Sequence, residues 1–206
     1  LSKHKNIPID HILLGNGSDE VLDLIFRAFC EPAKDNIITL PPTYGMYGVL
    51  ANLNDIENRE VLLDLDFRPD LDTISKTADT RSKLLFVCSP NNPTGNLIAS
   101  EKILKLLNTF KGLIVIDEAY IDFSNEESWS SKLPEFPNLI ITQTLSKAYG
   151  LAGIRLGICY ASAEIISILN KIKPPYNINK LTQETAIEQL QNIERIYSEI
   201  SLLKTE

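Results

Sequence analysis

Short apolar runs punctuate the chain at residues 12–14, 37–40, 61–63, 84–88, 113–116, 139–142 and 156–160. The run at 84–88 is continuously apolar, as strands are when a parallel sheet is covered on both faces. Between the runs the period changes. Val21, Leu22, Leu24, Ile25, Ala28 and Phe29 recur at helical spacing, and so do Ile103, Leu104 and Leu107 within residues 100–109. A further helix is expected over residues 163–171. Ala186, Leu190, Ile193, Tyr197 and Ile200 predict one long helix from about residue 181 to the chain end. Strands alternating with helices predict an α/β fold.

The punctuation sharpens these elements. Gly15-Asn16-Gly17-Ser18-Asp19-Glu20 reads as a glycine turn opening a helix, with Ser18 as N-cap and two acids in the dipole-favoured first turn. Ser100 is placed as the cap of its helix in the same way. Pro41-Pro42 ends the second strand and Pro174-Pro175 marks the clearest linker, since paired prolines forbid a continuous helix.

Composition narrows the class. With 206 residues the chain is long enough for one substantial domain, or for one domain and a fragment of another. It begins at Leu1 and ends at Glu206 inside a helical pattern, which reads as a piece of a longer protein. The net charge of −7 and pI near 5.0 come from interspersed charges, which argues against a nucleic-acid footprint and a polybasic membrane patch. Cys30, Cys88 and Cys159 are odd in number, far apart and set in apolar runs, so they read as buried free thiols rather than disulfides or a metal site. No metal is expected. The chain shows neither a signal peptide nor an apolar run of spanning length, so a cytoplasmic location is the expectation.

Several strand ends carry residues with chemistry. After the run at 139–142 come Thr144, Ser146 and Lys147, then a glycine-punctuated turn that delivers Arg155. In extended chain Thr144 and Ser146 face one side and Lys147 the other. The hydroxyls would grip an anion while the amine stays free, an arrangement suited to a cofactor with a phosphate and an aldehyde. Alone, such a pair is a solvated loop. The amides of Gly17, Ser18 and Asp19 open a helix, where anions bind readily, although most such turns are only well-capped helices. Tyr44 lies at a strand-to-helix junction, the rim where open α/β sheets bind ligands, and Tyr47 reads as packing. Asp117 ends a buried strand; Glu118 beside it reads as a cap or ion-pair partner, and Trp129 as a surface anchor. A dinucleotide site is excluded because Glu20 stands where a third glycine belongs.

Taken together, the segments GNGSDE, PPTYGMY, SPNNPTG, VIDEAY and TLSKAYGLAGIR, with the PPYN linker, resemble the fold-type I pyridoxal-phosphate aminotransferases, and most closely their histidinol-phosphate branch. The resemblance covers most of the chain. It implies a three-layer α/β/α sandwich with a mostly parallel mixed sheet, and pyridoxal 5'-phosphate as cofactor. Lys147 would bind the cofactor aldehyde and Asp117 the ring nitrogen, keeping the ring protonated. Asn92 and Tyr120 would reach the phenolic oxygen and Tyr44 would cover the ring. Gly17, Ser18, Asp19, Thr144, Ser146 and Arg155 would hold the phosphate, the last through a planar fork suited to it.

The resemblance further implies a cofactor-binding large domain over residues 1–173, and over 174–206 a linker and the start of a long helix toward a small domain. The implied substrates are histidinol phosphate as amino donor and 2-oxoglutarate, with glutamate as its product, and a homodimer is implied for the full-length protein. Aromatic aminotransferases and threonine-phosphate decarboxylases share the lysine and aspartate chemistry. A non-catalytic cofactor-binding fragment is the alternative of another class; Lys147, Asp117, Asn92 and Arg155 together argue against it, since a scaffold has no chemical need for all four.

Overall fold

The computed structural model describes residues 1–205; Glu206, where the expected C-terminal helix was to end, lies outside them. In chain order the elements are α1 (Ser2–Lys5), β1 (Ile12–Asn16), α2 (Ser18–Phe29), β2 (Asn36–Thr39), α3 (Met46–Leu53), β3 (Glu57–Glu60), α4 (Leu71–Thr77), β4 (Ser82–Cys88), α5 (Ser100–Thr109), β5 (Leu113–Asp117), β6 (Leu139–Thr144), β7 (Leu156–Ala161), α6 (Ala163–Ile172), α7 (Lys180–Gln191) and α8 (Ile193–Leu203).

The strands form one sheet in the order β1-β7-β6-β5-β4-β2-β3. Only β7 is reversed: it pairs antiparallel with β1 and β6, whereas the pairs from β6 across to β3 are parallel. Alternate residues of the buried strands feed two separate cores. Phe86, Val115, Ile140 and Cys159 pack with Val21, Ile25 and Leu169 on one face. Val87, Ile116, Ile141 and Ile158 pack with Ile103, Leu107, Ala186 and Ile196 on the other. Two helical layers therefore enclose the sheet, the expected α/β/α sandwich, and the central strands are apolar because neither face meets water. All three cysteines are free and buried. Among the described residues no helix is long and apolar enough to cross a membrane.

This topology fixes where side chains can converge. Asn16, Thr39, Cys88, Asp117 and Thr144 end parallel strands at one edge of the sheet, and Leu156 starts β7 there. Cross-strand register sets Cys88 beside Asp117, Asp117 beside Thr142, and Thr144 beside Gly157. The turn after β1 lies directly on the start of β7: a β-carbon at Gly157 would stand 2.3 Å from the Gly17 carbonyl carbon, so only glycine permits that approach.

Four local expectations need correction. The apolar run at 61–63 is not a strand; β3 is the polar Glu57–Glu60 segment, because an edge strand needs no apolar side chains on both faces. Val61 and Leu63 follow it, bonded to the Thr39 and Pro41 carbonyls, with their side chains in the core. Ser18 and Ser100 are the first helical residues, not caps; Gly17 and Ala99 hold the cap positions. The long C-terminal helix breaks at Asn192 into α7 and α8, which turns Ile196 inward and leaves Tyr197 46% exposed. The proline linker is tied back to β1 and α2 through Asn177, whose amide donates to the Leu14 carbonyl at 3.0 Å and to Glu20 at 2.9 Å.

Candidate active site

One cleft of about 120 Å³ at the carboxyl edge of the sheet is lined by Ser18, Asp19, Tyr44, Asn92, Asp117, Tyr120, Thr144, Ser146, Lys147 and Arg155, with Cys88 and Ala119. Gly17 lies against its wall under Arg155. The residues singled out from strand ends thus meet in one place, although they come from five different connections. Surface depressions of about 370 to 680 Å³ also exist, but none of these brings a lysine, an arginine and a buried carboxylate together.

At one end of the cleft Gly17 turns the chain with φ +85 into α2, whose first amides have no partner inside the helix. The Arg155 guanidinium lies over this turn, and a β-carbon at Gly17 would stand 2.4 Å from Nη2. The same nitrogen is 3.9 Å from an Asp19 carboxylate oxygen. Helix dipole, free amides and guanidinium make this the electropositive end. The Thr144 hydroxyl is engaged within the chain rather than free: it donates to the Leu156 carbonyl at 3.2 Å and accepts from the Ser146 amide at 3.1 Å. It thereby fixes the turn on which Ser146 and Lys147 ride.

Lys147 is exposed, and its Nζ sits 5.4 Å from the centre of the Tyr120 ring. Among the described residues it has no ion-pair partner, so the amine is available. Tyr44 is half-buried; its hydroxyl donates to Asp19 at 3.1 Å, and its ring meets Tyr47 edge-on at 5.6 Å. Burial and the Asp19 carboxylate push its phenol up to about 12, so it stays a neutral donor.

At the opposite end Asp117 is 3% exposed. One carboxylate oxygen accepts from the Tyr47 hydroxyl at 2.7 Å, the other from the Ala119 amide at 3.1 Å. Burial raises its pKa, and these donors oppose the rise. The Thr142 hydroxyl beside it favours the charged form yet holds no hydrogen bond of its own.

Tyr47 packs in the core as expected, but its hydroxyl also bonds Asp117, a role that was missed because the partner lies 70 residues away and no local pattern signals it. Asn91 was also missed. Its amide bonds the Pro42 carbonyl and Thr94, and its oxygen accepts from Thr43, joining two rim loops, while Asn92 lines the cleft. Among the described residues Glu118 has no ion-pair partner. It is 1% exposed and accepts from the Ser128 hydroxyl, the Trp129 amide and the Gln143 side chain. Trp129 is accordingly half-buried against the core, not a surface anchor.

The donor set suits a flat cofactor bearing a phosphate, an aldehyde and a ring nitrogen. The glycine cradle under Arg155 admits a phosphate where any β-carbon would intrude, and the orphaned Thr142 hydroxyl and the Asp117 oxygens supply polar atoms at the other end.

A family model described as aminotransferase class I and II matches residues 2–204. The histidinol-phosphate aminotransferase of Flavobacterium johnsoniae is 66% identical over 201 residues, spanning 98% of this chain and 58% of that protein. The structure of the histidinol-phosphate aminotransferase from Clostridium acetobutylicum superposes with a TM-score of 0.86 at 27% identity, over 97% of this chain and 60% of that one. That of Sinorhizobium meliloti, solved in complex with pyridoxal-5'-phosphate, shares the fold with a TM-score of 0.88 at 24% identity, over 97% of this chain and 55% of that one. The chain spans about three fifths of the length of the curated relatives it matches.

Proposed function

The chain belongs to the aminotransferase class I and II family, and from that premise we propose that it builds the cofactor site of a pyridoxal-phosphate-dependent enzyme that moves an amino group between histidinol phosphate and 2-oxoglutarate. The observation that carries the substrate is the 66% identity to a histidinol-phosphate aminotransferase along 98% of the chain. The convergence of Lys147, Asp117 and Arg155 on one cleft supports the chemistry.

Pyridoxal phosphate supplies an aldehyde that condenses with amines and a ring that draws electrons from the substrate's α-carbon. Lys147 would hold the aldehyde, and its amine, when free, would take the proton from the substrate's α-carbon as general base and hand it back as general acid. Asp117 keeps the ring nitrogen charged. Asn92 and Tyr120 donate to the phenolic oxygen, Tyr44 covers the ring face, and the amides of Ser18 and Asp19 with Ser146 and Arg155 bind the phosphate. Gly17 leaves that cradle open, and Thr144 acts on it through the turn it fixes.

In this reading residues 1–173 are the large domain of a cytoplasmic homodimer, and residues 174–206 lead toward a small domain. The test is amino transfer to 2-oxoglutarate by the parent protein, offered histidinol phosphate, tyrosine, phenylalanine or threonine phosphate. Histidinol phosphate is expected to be preferred. Preference for an aromatic donor, loss of carbon dioxide from threonine phosphate, or no turnover of any donor by the folded, cofactor-loaded protein would overturn the assignment.

A further inference from the structure

We propose that Tyr47 is the positioning residue of Asp117, holding that carboxylate in one orientation and in its charged form for the ring nitrogen of the bound cofactor. The proposal rests on the reading of Asp117 given above.

Asp117 faces a problem that Tyr47 solves. Its carboxylate is buried, and among the described residues it has no ion-pair partner, so hydrogen bonds alone offset the loss of water. The groups packed around it are Cys88 from β4, Thr142 from β6, Asp19 from α2 and Tyr47 from α3. Asp19 is a like charge that disfavours ionisation, and the Thr142 hydroxyl makes no hydrogen bond. Tyr47 is therefore the side chain that donates to Asp117, at 2.7 Å.

The donor is also fixed in space. The Tyr47 ring stacks on Phe86 with centroids 4.7 Å apart, and Phe86 stacks on Phe26 at 5.3 Å, so the hydroxyl projects from a buried column of packed rings. The Ala119 amide grips the other carboxylate oxygen at 3.1 Å. Each oxygen is thus held by one donor, and a carboxylate with about four lone-pair sites keeps capacity toward the cleft that Asp117 lines. A purely structural ring would stack as well without a hydroxyl.

The experiment uses the parent enzyme loaded with pyridoxal phosphate labelled with ¹⁵N in the ring, and reads the ring-nitrogen resonance alongside kcat and KM. Asp117→Asn is expected to move the resonance to the unprotonated position. Tyr47→Phe is expected to move it partway, to lower kcat roughly tenfold with KM changed less, and to add nothing in the Asp117→Asn background. If the phenylalanine variant does not fold, 3-fluorotyrosine at position 47, a stronger donor of nearly the same size, should move the resonance the opposite way. An unmoved resonance in the position-47 variants, with Asp117→Asn shifted, overturns the proposal and leaves the Asp117 reading standing. An unmoved resonance in Asp117→Asn overturns that reading and the proposal with it.

Discussion

Arg155 lies over Gly17 so closely that a β-carbon on the glycine would come within 2.4 Å of the guanidinium. The arginine is itself held at φ 56 by the turn that enters β7, so turn and cation define the electropositive end of the cleft together.

Gly17→Ala follows from that contact. The φ of +85 is strained for alanine, and the guanidinium must move aside, so a stability loss of about 1–3 kcal/mol is expected with weakened cofactor binding. Gly45→Ala is the control: φ is −64 there, nothing lies within 4 Å of the added carbon, and a gain of about 0.4–1 kcal/mol is expected. Thermal unfolding and a cofactor titration of both variants check the pair.

Neighbouring asparagines should separate by kind of effect. Asn91→Ala removes three hydrogen bonds, two of them joining the loop after β2 to the loop after β4 and one within the latter, for about 2 kcal/mol of stability. Asn92→Ala should leave stability almost unchanged while cutting turnover and shifting the spectrum of the bound cofactor. Denaturant titration and turnover of the two variants would show this division or its absence.

Glu118 gives a pH signature. Burial raises its pKa to about 6, so the folded protein holds that proton more tightly than the unfolded chain does. Its contribution to stability is full below about pH 4.5 and is lost as pH rises through about 6, a change of about 2 kcal/mol. Glu118→Gln should flatten that part of the stability profile, measured by urea unfolding of the cofactor-free protein across the window.

The central strands were legible because burial on both faces leaves an uninterrupted apolar run, and their chemistry was legible because parallel strands bring their ends to one edge. β3 was not, since Glu57–Glu60 is an edge strand and carries no such signal. The hydrogen bonds of Tyr47 and Glu118 were not legible for a common reason. Their partners are set by fold alone: Asp117 lies across the sheet from α3, and Gln143 lies on the neighbouring strand. The break at Asn192 was hidden because apolar spacing continues past it, and only packing reveals that the buried face has turned to Ile196.

Attachment of the cofactor to Lys147 is the claim on which the rest depends, and borohydride reduction of the parent protein loaded with pyridoxal phosphate tests it directly. The account predicts a visible absorbance band that reduction abolishes, with the label mapped to the peptide containing Lys147. Lys147→Ala should lose the band while still binding the cofactor through the phosphate cradle. A band that persists in that variant, or a label on another lysine, would contradict it.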